Sequence, residues 1–200
     1  MDALPAVAGF IAVAVITPGP NNFIVMAAAA RGGFVAAVPA IAGVVAGSLV
    51  LLALAWAGAD AAFEAAPPLR LALKLAGAAY LAWLGALLIH RSRRPNRDDV
   101  ESGAGHLPST ALGVAGFQLL NPKSWVLILT AAAALSGEAE PLPAFAALTA
   151  TLAALSLLCL TLWASAGAAI AGWLRRPTAR AWFERAMGGL LIGSAVWLLV

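Results

Sequence analysis

The chain has 200 residues, of which 62% are hydrophobic and 10% charged, and its mean hydropathy is +0.93. Soluble domains run at about 45–50% apolar and about 25% charged, so a soluble domain of this length is excluded. The net charge of +3 and sequence pI near 9.8 do not point to nucleic acid, because the basic residues stand in short runs beside apolar segments, where they read as topology signals.

Cutting the chain at charges and turn residues predicts six apolar segments, at 4–30, 34–57, 69–89, 111–136, 142–173 and 179–200. Each reaches about the ~20 residues that cross ~30 Å of hydrocarbon. All are read as helices, since backbone in lipid must satisfy its own hydrogen bonds and the alternation of a barrel strand is absent.

The first segment opens with Asp2 and has no Lys or Arg before Arg31, so a cleavable signal peptide is not expected. It is interrupted at 17–22 by "TPGPNN". Proline removes a donor and clashes with the preceding turn, so Pro18-Gly19-Pro20 cannot continue a regular helix. The second segment carries Gly43 and Gly47, a small-xxx-small pair that reads as a packing seam. After the third comes the one long connection, His90–Thr110, polar and rich in charge, Gly, Pro and Ser. Ser109 or Thr110 is expected to cap the fourth helix. The fourth segment is interrupted at Asn121-Pro122-Lys123. The fifth holds Cys159, read as a packing residue, and its solitude excludes an internal disulfide. Trp56, Trp173, Trp182 and Trp197 lie near segment ends, where an interfacial belt is expected.

Cytoplasmic loops are enriched in Lys and Arg. Nine such residues fall on the side of the 90–110 loop and two, Arg70 and Lys74, on the other. This places the loop in the cytoplasm and both termini outside. An internal repeat is also visible. Pro18 precedes Pro39 by the same 21 residues that separate Pro122 from Pro143, "AAAA" recurs at 27–30 and 131–134, and "KLAG" at 74–77 is matched to "RAMG" at 185–188. Two halves of three spans each, 1–89 and 111–200, are then inserted upside down relative to one another. That is the plan of many secondary transporters. The fold expected is an all-α integral membrane protein: a single domain of six transmembrane helices, built as two inverted three-helix repeats with broken first and fourth helices.

Broken backbone at membrane depth survives where it is buried in protein or lines a watery cavity, and paired interruptions in matching segments point to a substrate site. One proline alone is more often a packing kink; a Pro-Gly-Pro-Asn-Asn run matched by Asn-Pro-Lys is not. A charge near the bilayer centre costs at least about 2.5–3.5 kcal/mol. Lys123 is 12 residues from Ala111 and 13 from Ser136, roughly 18–20 Å from either interface at 1.5 Å per residue, beyond snorkelling reach. It is expected to face a cavity, opposite a substrate carboxylate. The candidate substrate-binding set is Pro18, Gly19, Pro20, Asn21, Asn22, Gln118, Asn121, Pro122 and Lys123. Tyr80, Ser48, Thr130, Ser156 and Thr161 are weaker candidates, each equally able to bond a neighbouring helix.

On these residues the chain resembles the lysine exporter (LysE/RhtB) family of bacterial amino acid exporters. The resemblance runs over nearly the whole length, through "TPGPNN", "ARGG", "LKLAGAAYLAWLGALL" and "GFQLLNPKSW". It implies an inner-membrane carrier that exports amino acids or close derivatives by exchange with protons, and "TPGPNN" looks closest to the cysteine and O-acetylserine exporter branch. Many relatives carry an acidic residue after Pro-Gly-Pro where this chain has Asn21. Within the predicted spans the one carboxylate is Glu184, five residues into the sixth segment, which leaves Lys123 as the titratable candidate of the interior. An enzyme is not expected, since His90 and His106 lie at or in the polar loop and no acidic partner is buried. No cofactor, metal or nucleic acid is called for. The expected partners are a small-molecule substrate and membrane lipid, with a homo-oligomer left open. The alternative function is a passive channel or facilitator for small polar metabolites.

Overall fold

The computed structural model of the protein describes residues 3–59, 67–93, 110–135 and 140–199. Among the described residues there are eight α-helices and no strand. They are α1 (Leu4–Ile16), α2 (Pro20–Gly32), α3 (Phe34–Leu54), α4 (Pro67–Arg91), α5 (Ala111–Leu120), α6 (Pro122–Leu135), α7 (Pro141–Ile170) and α8 (Pro177–Leu199). A wide turn, Ala55–Ala59, prolongs α3, and a tight one, Trp173–Arg175, precedes α8.

Local chemistry sets the boundaries. Five helices begin at a proline, whose missing N–H is one of the donors that a first turn leaves unpaired anyway. Gly33 joins α2 to α3 at φ +78°, a turn that a side chain would strain. Thr110 caps α5, its Oγ1 accepting from the Gly113 N–H at 3.1 Å. Ser109 and most of the 90–110 connection lie outside the described residues.

The first and fourth apolar segments are each two helices rather than one. α1 and α2 meet at a bend of 51°, and Asn121 alone separates α5 from α6. Residues 34–58 and α7 are each long and apolar enough to cross a membrane, and α1 with α2 passes the same test together as a bent pair, a broken span or a re-entrant loop. The chain is an all-helical, multi-pass membrane protein.

Small residues make the helix crossings close, as interfaces without a hydrophobic drive require. α3 and α5 run parallel, with Gly43 against Ala111 and Val114 and Gly47 against Gln118 and Ala115. The expected seam on the second segment is present. α4 and α8 run antiparallel, and a Cβ added at Gly85 or Gly188 would come within 2.6 Å of the other's carbonyl oxygen. Arg185 Nε donates to Ser92 Oγ at 3.1 Å at one end of the same pair. Two apolar cores result. One joins α2, the first half of α3, α4, α5, the second half of α7 and α8 around Phe23, Leu81, Leu84 and Phe117. The other joins α1, the second half of α3, α6 and the first half of α7 around Ile11, Leu51, Ile128 and Leu148. Of the tryptophans near segment ends, Trp173 and Trp182 are exposed.

Candidate functional site

Each helix break frees backbone carbonyls from the helical ladder, and side chains supply donors to them. At the first break, Thr17 closes α1 and Gly19, fully extended at φ −167°, precedes α2. The Val13 carbonyl accepts from the Thr17 backbone N–H at 3.2 Å and from Thr17 Oγ1 at 2.6 Å. Val15 O accepts from Asn22 Nδ2 at 2.8 Å and from Cys159 Sγ at 3.0 Å. Thr17 O accepts from Asn22 Nδ2 at 3.1 Å and from Lys123 Nζ at 2.8 Å. The negative end of the α1 dipole thus faces the ammonium of a residue 106 positions away.

The second break is organised by amides. Asn121 Oδ1 accepts from the Lys123 N–H at 3.2 Å, while Nδ2 donates to Asn21 Oδ1 at 3.1 Å and to Gln118 Oε1 at 3.3 Å. Gln118 is fully buried. Its Nε2 donates to Ser48 Oγ at 2.7 Å and to the Val44 carbonyl at 3.3 Å, and its Oε1 also accepts from Ser124 Oγ at 3.0 Å. Two donors and two lone pairs are all engaged, which completes the inventory of a primary amide. The chain Ser48–Gln118–Asn121–Asn21 ties α3, α5 and α2 to one junction.

Between the breaks lies a cavity of about 40 Å³ where the two apolar cores meet. At 10–15 Å³ per water it holds roughly three waters, less than an amino acid. One part of its lining is polar, with Asn21, Asn22, Ser48, Asn121, Lys123 and Ser124. The other is apolar, with Val44, Leu127, Ile128, Leu152 and Leu160; Ser156 of α7 also lines it. Among the described residues no carboxylate lines it, and Lys123 is the one titratable side chain that does.

Of the nine candidates, Gly19, Pro20, Asn21, Asn22, Asn121 and Lys123 line this cavity. Pro18 is exposed and lines a smaller cleft with Phe23 and Trp163 instead. Gln118 stands behind the wall, reaching the cavity through Ser48, Asn121 and Ser124. Pro122 is the first residue of α6. Among the weaker candidates, Ser48 and Ser156 reach the cavity. Thr130 and Thr161 are exposed, and Tyr80 packs its ring on Trp83 and Phe117. Ser124 and the aliphatic wall were not legible as site residues. Ser124 is adjacent to Lys123, and that was the available signal.

A multi-pass helical protein with two broken helices meeting around a small mixed-polarity cavity has the architecture of a membrane translocator. The chain belongs to the LysE type translocator family, whose model matches residues 12–200. It is therefore a transporter rather than an enzyme. An uncharacterized membrane protein of Pseudomonas aeruginosa is 30% identical over 193 residues, 92% of this chain and 88% of the relative. A leucine efflux protein of Enterobacter sp. is 33% identical over 111 residues, and one of Klebsiella pneumoniae 32% over 112. Each of these two matches covers 55% of this chain and 52% of the relative, so it spans about half of either. No solved structure matches the chain.

Proposed function

We propose that the protein exports amino acids across the bacterial inner membrane in exchange for protons, from a site at mid-membrane between the two helix breaks. The observation that carries this reading is the Lys123 ammonium, bonded across the two breaks at the wall of a cavity that no carboxylate lines among the described residues. A zwitterion fits there. Lys123, the Asn21 side-chain amide and the N-terminal end of α2 receive the carboxylate. Asn22, Asn121 and Gln118 hold these groups in place, their amide protons already engaged. Leu127, Ile128 and Leu152 offer the side chain an apolar wall, which favours an aliphatic amino acid over a polar one such as O-acetylserine. The names of the two leucine efflux relatives agree. Lys123, as the titratable group on the wall, is the candidate to carry the exchanged proton.

The membrane plan behind this reading is six spans in one transmembrane unit, with both termini outside and 90–110 in the cytoplasm. Residues 1–89 and 111–200 are its inverted repeats. The parallel course of α3 and α5 and the antiparallel course of α4 and α8 are those this plan requires. A refined register supports it. Pro18 to Pro122 and Pro39 to Pro143 are offset by 104 residues, and Gly85 to Gly188, in mutual contact, by 103. The Lys74–Gly77 match to Arg185–Gly188 has an offset of 111 and is replaced by the glycine pair.

The carrier reading is favoured over a channel because an apolar core lies on either side of the cavity. Proteoliposomes loaded with L-leucine should accumulate labelled L-leucine by counterflow, with saturation and with acidification-dependent net flux. Linear, conductive flux without counterflow would establish a channel instead.

A further inference from the structure

Hydroxyls buried in apolar helices normally bond back to the carbonyl one turn earlier. α7 supplies its own controls: Thr149 Oγ1 donates to the Phe145 carbonyl at 2.7 Å and Thr151 Oγ1 to the Ala147 carbonyl at 2.8 Å. Ser156, on the same helix, does not. Its residue is 5% exposed, and its Oγ has no partner among the described residues and opens onto the cavity between the breaks. One turn further along α7, Cys159 Sγ is bonded to the Val15 carbonyl at 3.0 Å, so this face of the helix abuts the first break.

A zwitterion brings two charges into the cavity, and the groups on its wall are unevenly shared between them. The carboxylate meets a surplus of donors: the Lys123 ammonium, with one of its three N–H groups engaged at Thr17 O, and the Asn21 amide. The ammonium has three N–H groups that need acceptors in a space without a carboxylate. Ser124 Oγ, already donating to Gln118, offers lone pairs. Ser156 Oγ offers both of its own from the α7 wall.

We propose that Ser156 is a specificity-determining residue whose hydroxyl oxygen accepts a hydrogen bond from the substrate's α-ammonium. It thereby selects amino acids over carboxylic acids of the same skeleton. This rests on the export reading above and names how its site recognises the amino group. Ser156 touches substrate and takes no part in holding the breaks together, so its removal leaves the bundle intact.

The test is competition against labelled L-leucine counterflow in proteoliposomes at pH 7. Unlabelled L-leucine is one competitor and its 2-hydroxy analogue, 2-hydroxy-4-methylpentanoate, the other. In Ser156→Ala the half-inhibitory concentration of L-leucine rises about tenfold, the usual effect of one hydrogen bond to a charged group. That of the hydroxy acid rises less than about threefold on the same scale. Ser156→Thr, which keeps the hydroxyl, restores preference for the amino acid. Equal losses for the two competitors, or none for either, would overturn the assignment, since the hydroxyl would then serve the carboxylate or only shape the wall. Absence of counterflow by the wild type with any amino acid of a neutral, basic and polar panel defeats the export reading itself, and the role of Ser156 with it.

Discussion

The two helix breaks solve the same problem in opposite ways. At the second, one residue does most of the bonding locally: Asn121 takes the Lys123 N–H on its own side chain, and its other partners are Gln118, three residues back, and Asn21. At the first break the freed carbonyls of Val15 and Thr17 import their donors from α2, α6 and α7. Each receives two, Asn22 with Cys159 at one and Asn22 with Lys123 at the other. The redundancy is informative. An orphaned buried carbonyl costs about 1–3 kcal/mol, but if Lys123 leaves Thr17 O for a carboxylate, Asn22 still satisfies it. The first break is built so that the lysine is free to go, and the second so that its own geometry does not change.

The largest effect that follows is on Lys123. Lys123→Met keeps the length of the side chain and removes the charge, while Asn22 keeps the Thr17 carbonyl satisfied, so the protein inserts and folds. Counterflow of L-leucine at equal protein levels falls at least about thirtyfold, because removing one partner of a desolvated charge pair costs about 2–5 kcal/mol. Lys123→Arg is also impaired, since a planar fork does not replace a compact ammonium in a fitted site. Transport by Lys123→Met at the wild-type rate would reduce the lysine to a structural cap on α1.

Asn22 comes next. In Asn22→Ala, Lys123 becomes the only side chain left on Thr17 O, so a substrate carboxylate must compete with a carbonyl that has no other donor. The half-saturation concentration for L-leucine in counterflow rises about tenfold, the equivalent of one such hydrogen bond, while the maximal rate changes less. The removed amide also lowers thermal stability in detergent. A fall in stability with unchanged half-saturation would show that the redundancy serves folding alone.

The positions of both breaks were legible in the sequence, because Pro, Gly and Asn inside an apolar run have no other reading at that depth. The close approach of Gly43 and Gly47 to a neighbouring helix was legible for the same reason. The division of labour among the amides was not. Asn22 and Gln118 resemble ligands in a sequence because they are polar in an apolar context. Only the fold shows that Asn22 donates to the end of α1 and that Gln118 has all four bonds engaged with Ser48, Val44, Ser124 and Asn121. Ser156 is the reverse case. Like Thr149 and Thr151 it is a hydroxyl on α7, and whether a hydroxyl bonds back to its own helix or faces a cavity is a tertiary fact. Nor was the contact of Gly85 with Gly188 legible, since a single sequence does not display which glycines meet.

The smallest effect is expected at Gly19, and it separates the role of the lysine from that of the broken backbone. Gly19 is extended at φ −167°, a conformation open to any residue, so Gly19→Ala introduces no backbone strain. Its new methyl would lie 3.2 Å from Lys123 Nζ and 3.4 Å from Cδ. The neighbour is the far end of a flexible side chain, which yields by a few tenths of an ångström. Folding stability should therefore change by no more than about 0.5 kcal/mol, as for substitutions away from strained or packed positions. Gly47→Ala, by contrast, meets the Ala115 carbonyl at 2.9 Å as well as the Gln118 side chain, and backbone does not give way so cheaply. The shifted ammonium in Gly19→Ala holds a carboxylate less well, and half-saturation for L-leucine should rise by about two- to fivefold, under 1 kcal/mol. A Gly19→Ala protein as inactive as Lys123→Met, with the melting temperature of the wild type, would mean that the open backbone before α2, and not the ammonium, receives the substrate.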